Sequence, residues 1–115
     1  MRLASASREY AEAAQWDLAV GYARQAGERA LRMYAPRAAL EQLSRALHAC
    51  SGLGRAPDPE LLRLRGQAHD LLGHFEQAEA DYTAAREAAQ TANDRAAEWR
   101  VLLDLTLLWA GRSYD

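Results

Sequence analysis

The sequence predicts an all-α fold, an α-α superhelix built from about six helices in antiparallel hairpins. Helix-forming side chains dominate the 115-residue chain, which contains no isoleucine and no lysine. No stretch alternates apolar and polar residues for long enough to form a half-buried strand. A pattern also recurs 39 positions later, because Gly27 returns as Gly66 and Ala39-x-x-x-Leu43 returns as Ala78-x-x-x-Tyr82. A period of this length indicates stacked helical hairpins.

Breaks between the helices are expected at five places, near residues 14–15, 35–36, 51–59, 73–74 and 91–94. Pro36 is predicted in the first turn of a helix, where its missing N–H is not needed, and Phe75 takes the same place one period later. The longest loop is expected at 51–59, with Asp58 as the N-cap of the next helix and Pro59 in its first turn.

We expect one domain over residues 1–115, since a chain of this length buries about two-thirds of its unfolded surface on folding. Its units are predicted at residues 16–53 and 54–92, followed by an incomplete unit at 93–115. The chain is therefore predicted to be a fragment of a longer array.

Charge and composition restrict the partner class. The formal net charge is −2 with a pI near 5.9, and the fourteen arginines are scattered along the chain. Direct nucleic-acid binding and attachment to anionic membranes need clustered positive charge, so neither is expected. Cys50 has no internal disulfide partner. A cytoplasmic location is predicted from this cysteine usage and from the lack of a signal-peptide-like or membrane-spanning apolar run.

The second unit contains Leu62-x-x-Arg65-Gly66-x-x-His69, followed by Ala78-x-x-x-Tyr82 and Ala85. This pattern resembles the tetratricopeptide repeat, although Leu62 and His69 stand at its two aromatic positions and Arg65 at its leucine. Residues 26–47 are also similar to the divergent tetratricopeptide arrays of large bacterial LuxR-type and ATPase-linked regulators. The resemblance implies a protein-interaction scaffold within a larger regulator.

In tetratricopeptide proteins the first helix of each hairpin lines a concave groove that binds a peptide or protein segment. The resemblance therefore predicts a partner-binding groove formed by Arg24, Glu28, Arg32, Arg63, Gln67, Asp70, Thr106 and Trp109. The arginines would bind carboxylates or carbonyls of the partner, Asp70 would accept hydrogen bonds, and Trp109 would be an apolar anchor. The alternative for the arginines is a solvated charge ladder, in which Glu28 pairs with Arg24 and Arg32 along one helix.

Two other functions remain open at this point. The last helix is apolar nearly all round, which is expected of a helix covered on several sides. Self-association as a homodimer is therefore an alternative, with Trp99, Leu102 and Trp109 in the contact. The second alternative is a small-ligand-sensing domain of a transcription regulator.

The sequence predicts no enzyme, no catalytic residue, no cofactor and no metal site. His69 and His74 are five positions apart, which misses the four-residue step that places two ligands on one helix face. His69 is expected in the core, where the family has an aromatic residue. Cys50 is also expected to serve only packing, because no base follows at a predictable spacing.

Overall fold

Five α-helices and no strand make up the part of the chain that the computed structural model describes, which is the backbone of residues 2–113 and the side chains of residues 6–111. The helices are α1 (Arg2–Arg32), α2 (Pro36–Gly52), α3 (Pro59–Leu71), α4 (Phe75–Thr91) and α5 (Arg95–Ser113). Consecutive helices contact each other, and α3 also contacts both α1 and α5. The predicted all-α class is confirmed. Residues 1, 114 and 115 of the predicted domain lie outside the described residues.

The first helix is longer than predicted. α1 runs without interruption over 31 residues, so the predicted break at Ala14-Gln15 is wrong, and the described chain has five helices instead of six. Both residues favour helix, and no glycine or proline occurs before Gly21. The ring of Trp16 lies against Gly52, the last residue of α2. The apolar pattern therefore weakens near residue 15 because α1 extends past its hairpin partner.

The C-terminal ends of the helices repeat with the 39-residue period. Each corner between helices contains one residue in the left-handed region: Tyr34 (φ 55°), Gly54 (φ 67°), Gly73 (φ 76°) and Asn93 (φ 55°). Positions 34 and 73 are one period apart, and so are positions 54 and 93. At Gly73 the absence of a Cβ removes the steric cost of this conformation. The two hairpins therefore turn in the same way at equivalent positions.

The hairpins also pack in the same way. A Cβ placed on Gly27 would lie 2.6 Å from the Leu43 side chain, and one placed on Gly66 would lie 2.5 Å from the Tyr82 ring. Gly66 follows Gly27, and Tyr82 follows Leu43, by one period. In both hairpins, therefore, a glycine lets the second helix place a large side chain directly on the backbone of the first.

Two buried clusters form the interior. The first contains Ala23, Ala39, Leu43, Ala46, Cys50, Leu61, Leu64 and Ala68, and the second contains Leu62, Ala78, Tyr82, Ala85, Val101, Leu105 and Leu108. Ala46 and its equivalent Ala85 are fully buried, as the repeat predicts. Leu47 packs against both clusters, so the interior is continuous from one hairpin to the next.

A methyl group at position 66 tests this close approach. Gly66→Ala is expected to lower the free energy of unfolding by about 1–3 kcal/mol, since the added carbon must displace a buried ring. Gly21→Ala is the control, because a Cβ at this position in α1 has no atom within 4 Å, and alanine should stabilise the helix by about 0.5–1 kcal/mol. Urea denaturation measures both values, and a gain in stability for both variants would contradict the packing described here.

The third unit departs from the 39-residue step. Asp58 accepts a hydrogen bond from the Glu60 backbone N–H (2.9 Å) at the start of α3, and Asp94 accepts one from Ala97 (3.1 Å) at the start of α5. These equivalent caps are 36 positions apart, because the segment at 92–94 is three residues shorter than the one at 53–58. A step of 39 therefore overshoots by three residues in α5.

Candidate functional site

The first helices of the three units, α1, α3 and α5, are joined side by side through ion pairs. Arg24 Nη1 lies 3.2 Å from Asp58 Oδ2, which links α1 to the start of α3, and Arg63 Nη1 lies 2.9 Å from Asp104 Oδ2, which links α3 to α5. We call the surface along this row the α1–α3–α5 face. It is defined by Arg24, Glu28, Arg32, Glu60, Arg63, Gln67, Asp70, Trp99, Leu103 and Leu107.

The α1 part of this face contains one of the two ion pairs of the predicted charge ladder, Arg24 with Glu28. Arg24 Nε donates to Glu28 Oε1 at 3.0 Å, and this hydrogen bond raises the pKa of Arg24. Arg32 is exposed at the end of α1 and makes no ion pair with the residues that the structure describes. Of the two arginines predicted to bind a partner from α1, Arg32 is therefore the more available.

Arg63 is engaged by the protein itself. Its Nε and Nη2 atoms both donate to the Glu60 carboxylate at 3.0 Å, while Nη1 donates to Asp104. The hydrogen bonds that Arg63 donates to Glu60 and to Asp104 raise the pKa of Arg63, and Arg100 Nη1 adds a longer contact of 3.7 Å to Glu60. Arg63 therefore holds α3 against α5, and the partner-binding role predicted for it would compete with these internal carboxylates.

Asp70 offers an acceptor on the same face. Burial, and then the nearby Asp104 charge, raise the pKa of Asp70. Within the described part of the chain it forms no ion pair. A basic group of a partner placed beside Asp70 would stabilise its ionised form.

The α5 part of the face is apolar. Trp99, Leu103 and Leu107 are spaced four residues apart and are 68%, 61% and 70% exposed, and we call them the α5 stripe. Counted from the helix starts, Trp99 corresponds to Arg63 and Leu103 to Gln67. Leu103 is absent from the residues predicted from the sequence because a step of 39 takes Gln67 to Thr106; Leu107 corresponds to Leu71, which is not among those residues either. None of the described helices, α5 included, is long and apolar enough to cross a bilayer.

The remaining predicted residues of α5 lie beside the stripe. Thr106 is exposed, and its Oγ1 donates to the Leu102 carbonyl at 2.8 Å. Trp109 Nε1 donates to Glu79 Oε2 of α4 at 2.8 Å, so this ring lies toward α4. Trp99 and Trp109 are ten positions apart, which is roughly 80° around a helix. The residues predicted for self-association therefore cover two sides of α5, with Leu102 half-buried between them.

A second polar group lies between α3 and α4. The Asp81 carboxylate, 6% exposed, accepts two hydrogen bonds from Arg65, at 2.7 and 2.8 Å. His69 Nε2 lies 3.8 Å from Asp81 Oδ2, and His69 Nδ1 lies 3.2 Å from His74 Nδ1. Burial lowers the pKa of His69. Arg65 is therefore paired with a buried carboxylate.

A cavity of about 730 Å³ opens between α1 and α2. Trp16, Tyr22 and Ala26 line its α1 side, and Arg45 and His48 line its α2 side. An apolar cavity of this size with a few polar groups is typical of small-ligand sites. Across the described residues, no group of three or more His, Cys, Asp or Glu side chains is arranged to hold a metal ion.

Comparison with known proteins gives no relative: no family model matches this chain, and no curated protein and no solved structure match it.

Proposed function

We propose that the protein is a non-enzymatic interaction scaffold, a tetratricopeptide-like domain of a larger bacterial cytoplasmic regulator, and that it binds a segment of another protein on the α1–α3–α5 face. The observation that carries the proposal is the α5 stripe. Its three large apolar side chains are each more than 60% exposed and follow one side of one helix. Contiguous exposed apolar surface bordered by polar groups is typical of protein-interaction sites.

The chemistry of the face defines the partner. Tryptophan is enriched among the residues that dominate binding energy, so Trp99 is the main anchor, with Leu103 and Leu107 beside it. Arg24 and Arg63 are paired with internal carboxylates, whereas Asp70 forms no ion pair with the described residues. The partner is therefore an amphipathic segment that presents apolar side chains to the α5 stripe and a basic side chain to Asp70.

Selection of peptides tests this proposal. A random-peptide display library is selected on the purified chain, and the affinity of each selected peptide is measured for two charge variants. Leu103→Glu is expected to weaken binding at least tenfold, since loss of a central apolar contact costs about 2 kcal/mol or more. Leu18→Glu, which changes a leucine of α1 that is 60% exposed, should bind like the unchanged protein.

Circular dichroism shows whether both variants are folded. Equal affinity of the unchanged protein and a folded Leu103→Glu variant for every selected peptide would refute binding on this face.

Self-association through α5 is the second candidate, and the exposed indole of Trp109 on the α4 side of the stripe favours it. It predicts a sedimentation coefficient that rises with protein concentration and a constant monomeric value for Trp99→Glu. A constant monomeric value for the unchanged protein over the same concentrations would exclude this candidate and leave the peptide-binding proposal untouched.

A further inference from the structure

Two histidines meet at the corner between α3 and α4. His69 lies in the last turn of α3, and His74 is the N-cap residue of α4. Between them Gly73 adopts φ 76° and turns the chain back. The two Nδ1 atoms are 3.2 Å apart, and the ring centroids are 5.4 Å apart. A five-residue spacing along one continuous helix would separate these side chains, so the left-handed turn creates the pair.

We infer that His69 and His74 form a binding site for a divalent transition-metal ion, with both Nδ1 atoms as ligands and water completing the coordination. Neutral imidazole suits Zn²⁺, Ni²⁺ and Cu²⁺. With metal–nitrogen bonds of about 2.0–2.1 Å, two nitrogens 3.2 Å apart subtend roughly 100° at the ion. This angle lies between those of octahedral and tetrahedral coordination, and the ion would replace the hydrogen bond between the two Nδ1 atoms.

A carboxylate lies near the other ring nitrogen of His69, beyond hydrogen-bond length. A metal-bound histidine generally donates its other ring N–H to a carboxylate or carbonyl, which fixes the tautomer. Here Asp81 Oδ2 is 3.8 Å from His69 Nε2, and Arg65 holds that carboxylate with two hydrogen bonds. When the ion occupies Nδ1, the proton of neutral His69 resides on Nε2, which faces Asp81.

The experiment is a calorimetric titration of the full chain with Ni²⁺, and separately with Zn²⁺, at about pH 7.5, where imidazole is mostly neutral. One saturable site per chain is expected. His74→Ala should weaken the affinity at least tenfold; His74 makes no side-chain capping bond, and circular dichroism shows whether the variant is folded. His48→Ala removes an exposed histidine of α2 and is the matched control, with the affinity of the unchanged protein.

Imidazole nitrogen NMR with Zn²⁺ identifies the ligating atoms. The inference predicts that the Nδ1 resonances of His69 and His74 shift on binding. Equal affinity of His74→Ala and the unchanged protein, loss of the site in His48→Ala, or a shift confined to the Nε2 resonances would overturn it. A titration that shows no saturable site would overturn it as well.

Discussion

Replacing Tyr82 with alanine is expected to lower the free energy of unfolding by about 3–5 kcal/mol, the range for truncation of a large buried aromatic side chain. Tyr82 is 2% exposed and belongs to the cluster that joins α3, α4 and α5. Its ring also rests on the Gly66 backbone. Removing it leaves a cavity at the point where the three helices meet, and urea denaturation measures the loss.

Tyr22 provides the matched control for this truncation. It is also a tyrosine within a helix, but it is 69% exposed, so Tyr22→Ala should change the free energy of unfolding by less than about 0.5 kcal/mol. Similar losses in the two variants would contradict the buried packing of Tyr82 between α3, α4 and α5.

The second large effect is expected from Asp81→Asn. This change leaves the guanidinium of Arg65 facing an amide in place of its carboxylate partner. Breaking a buried pair on one side costs about 3–5 kcal/mol. The Arg65 side chain is 28% exposed, so solvent screens part of this interaction. We therefore expect Asp81→Asn to lower the free energy of unfolding by about 2–3 kcal/mol.

Glu41→Gln is the control for charge removal at a surface pair. Arg45 and Glu41 also form an ion pair, at 3.1 Å, but their side chains are 63% and 64% exposed. Loss of this surface pair should lower the free energy of unfolding by less than about 0.5 kcal/mol. Denaturation at low and high salt separates the two cases, because only the surface pair is strongly screened. Equal costs for the two variants would contradict a buried role for Asp81.

Much of the fold could be predicted because local signals and the repeat agree. The α2 and α4 starts at Pro36 and Phe75, the Asp58 cap and the burial of Ala46 and Ala85 all follow from turn chemistry and the 39-residue period. These features depend on residues near in sequence or on equivalence between units. Predicting them does not require knowing which side chains distant in sequence contact each other.

The errors come from features that periodicity does not determine. A break was predicted at Ala14-Gln15 because the packed surface of α1 ends there. The helix itself continues, since helix propensity is high at these residues. The step of 39 does not lead to equivalent positions in α5, because a loop shorter by three residues changes the register without changing the apolar pattern.

Contacts between side chains of different helices also could not be predicted from the sequence. Nothing in the α3 sequence indicates that Arg63 meets Asp104, 41 positions away. Nothing in the spacing of His69 and His74 shows that the rings face each other, since this depends on the left-handed Gly73. The helices that carry the candidate site could therefore be predicted from the sequence. Which of their side chains are already engaged in contacts within the protein could not.

Amide chemical-shift mapping with a selected peptide tests the central claim most directly. If the α1–α3–α5 face binds partners, the peptide should shift the amide signals around Trp99, Leu103 and Leu107, together with those around Asp70, and leave the α1–α2 cavity around Tyr22 unchanged. Shifts concentrated around that cavity, with none along the α5 stripe, would contradict the account.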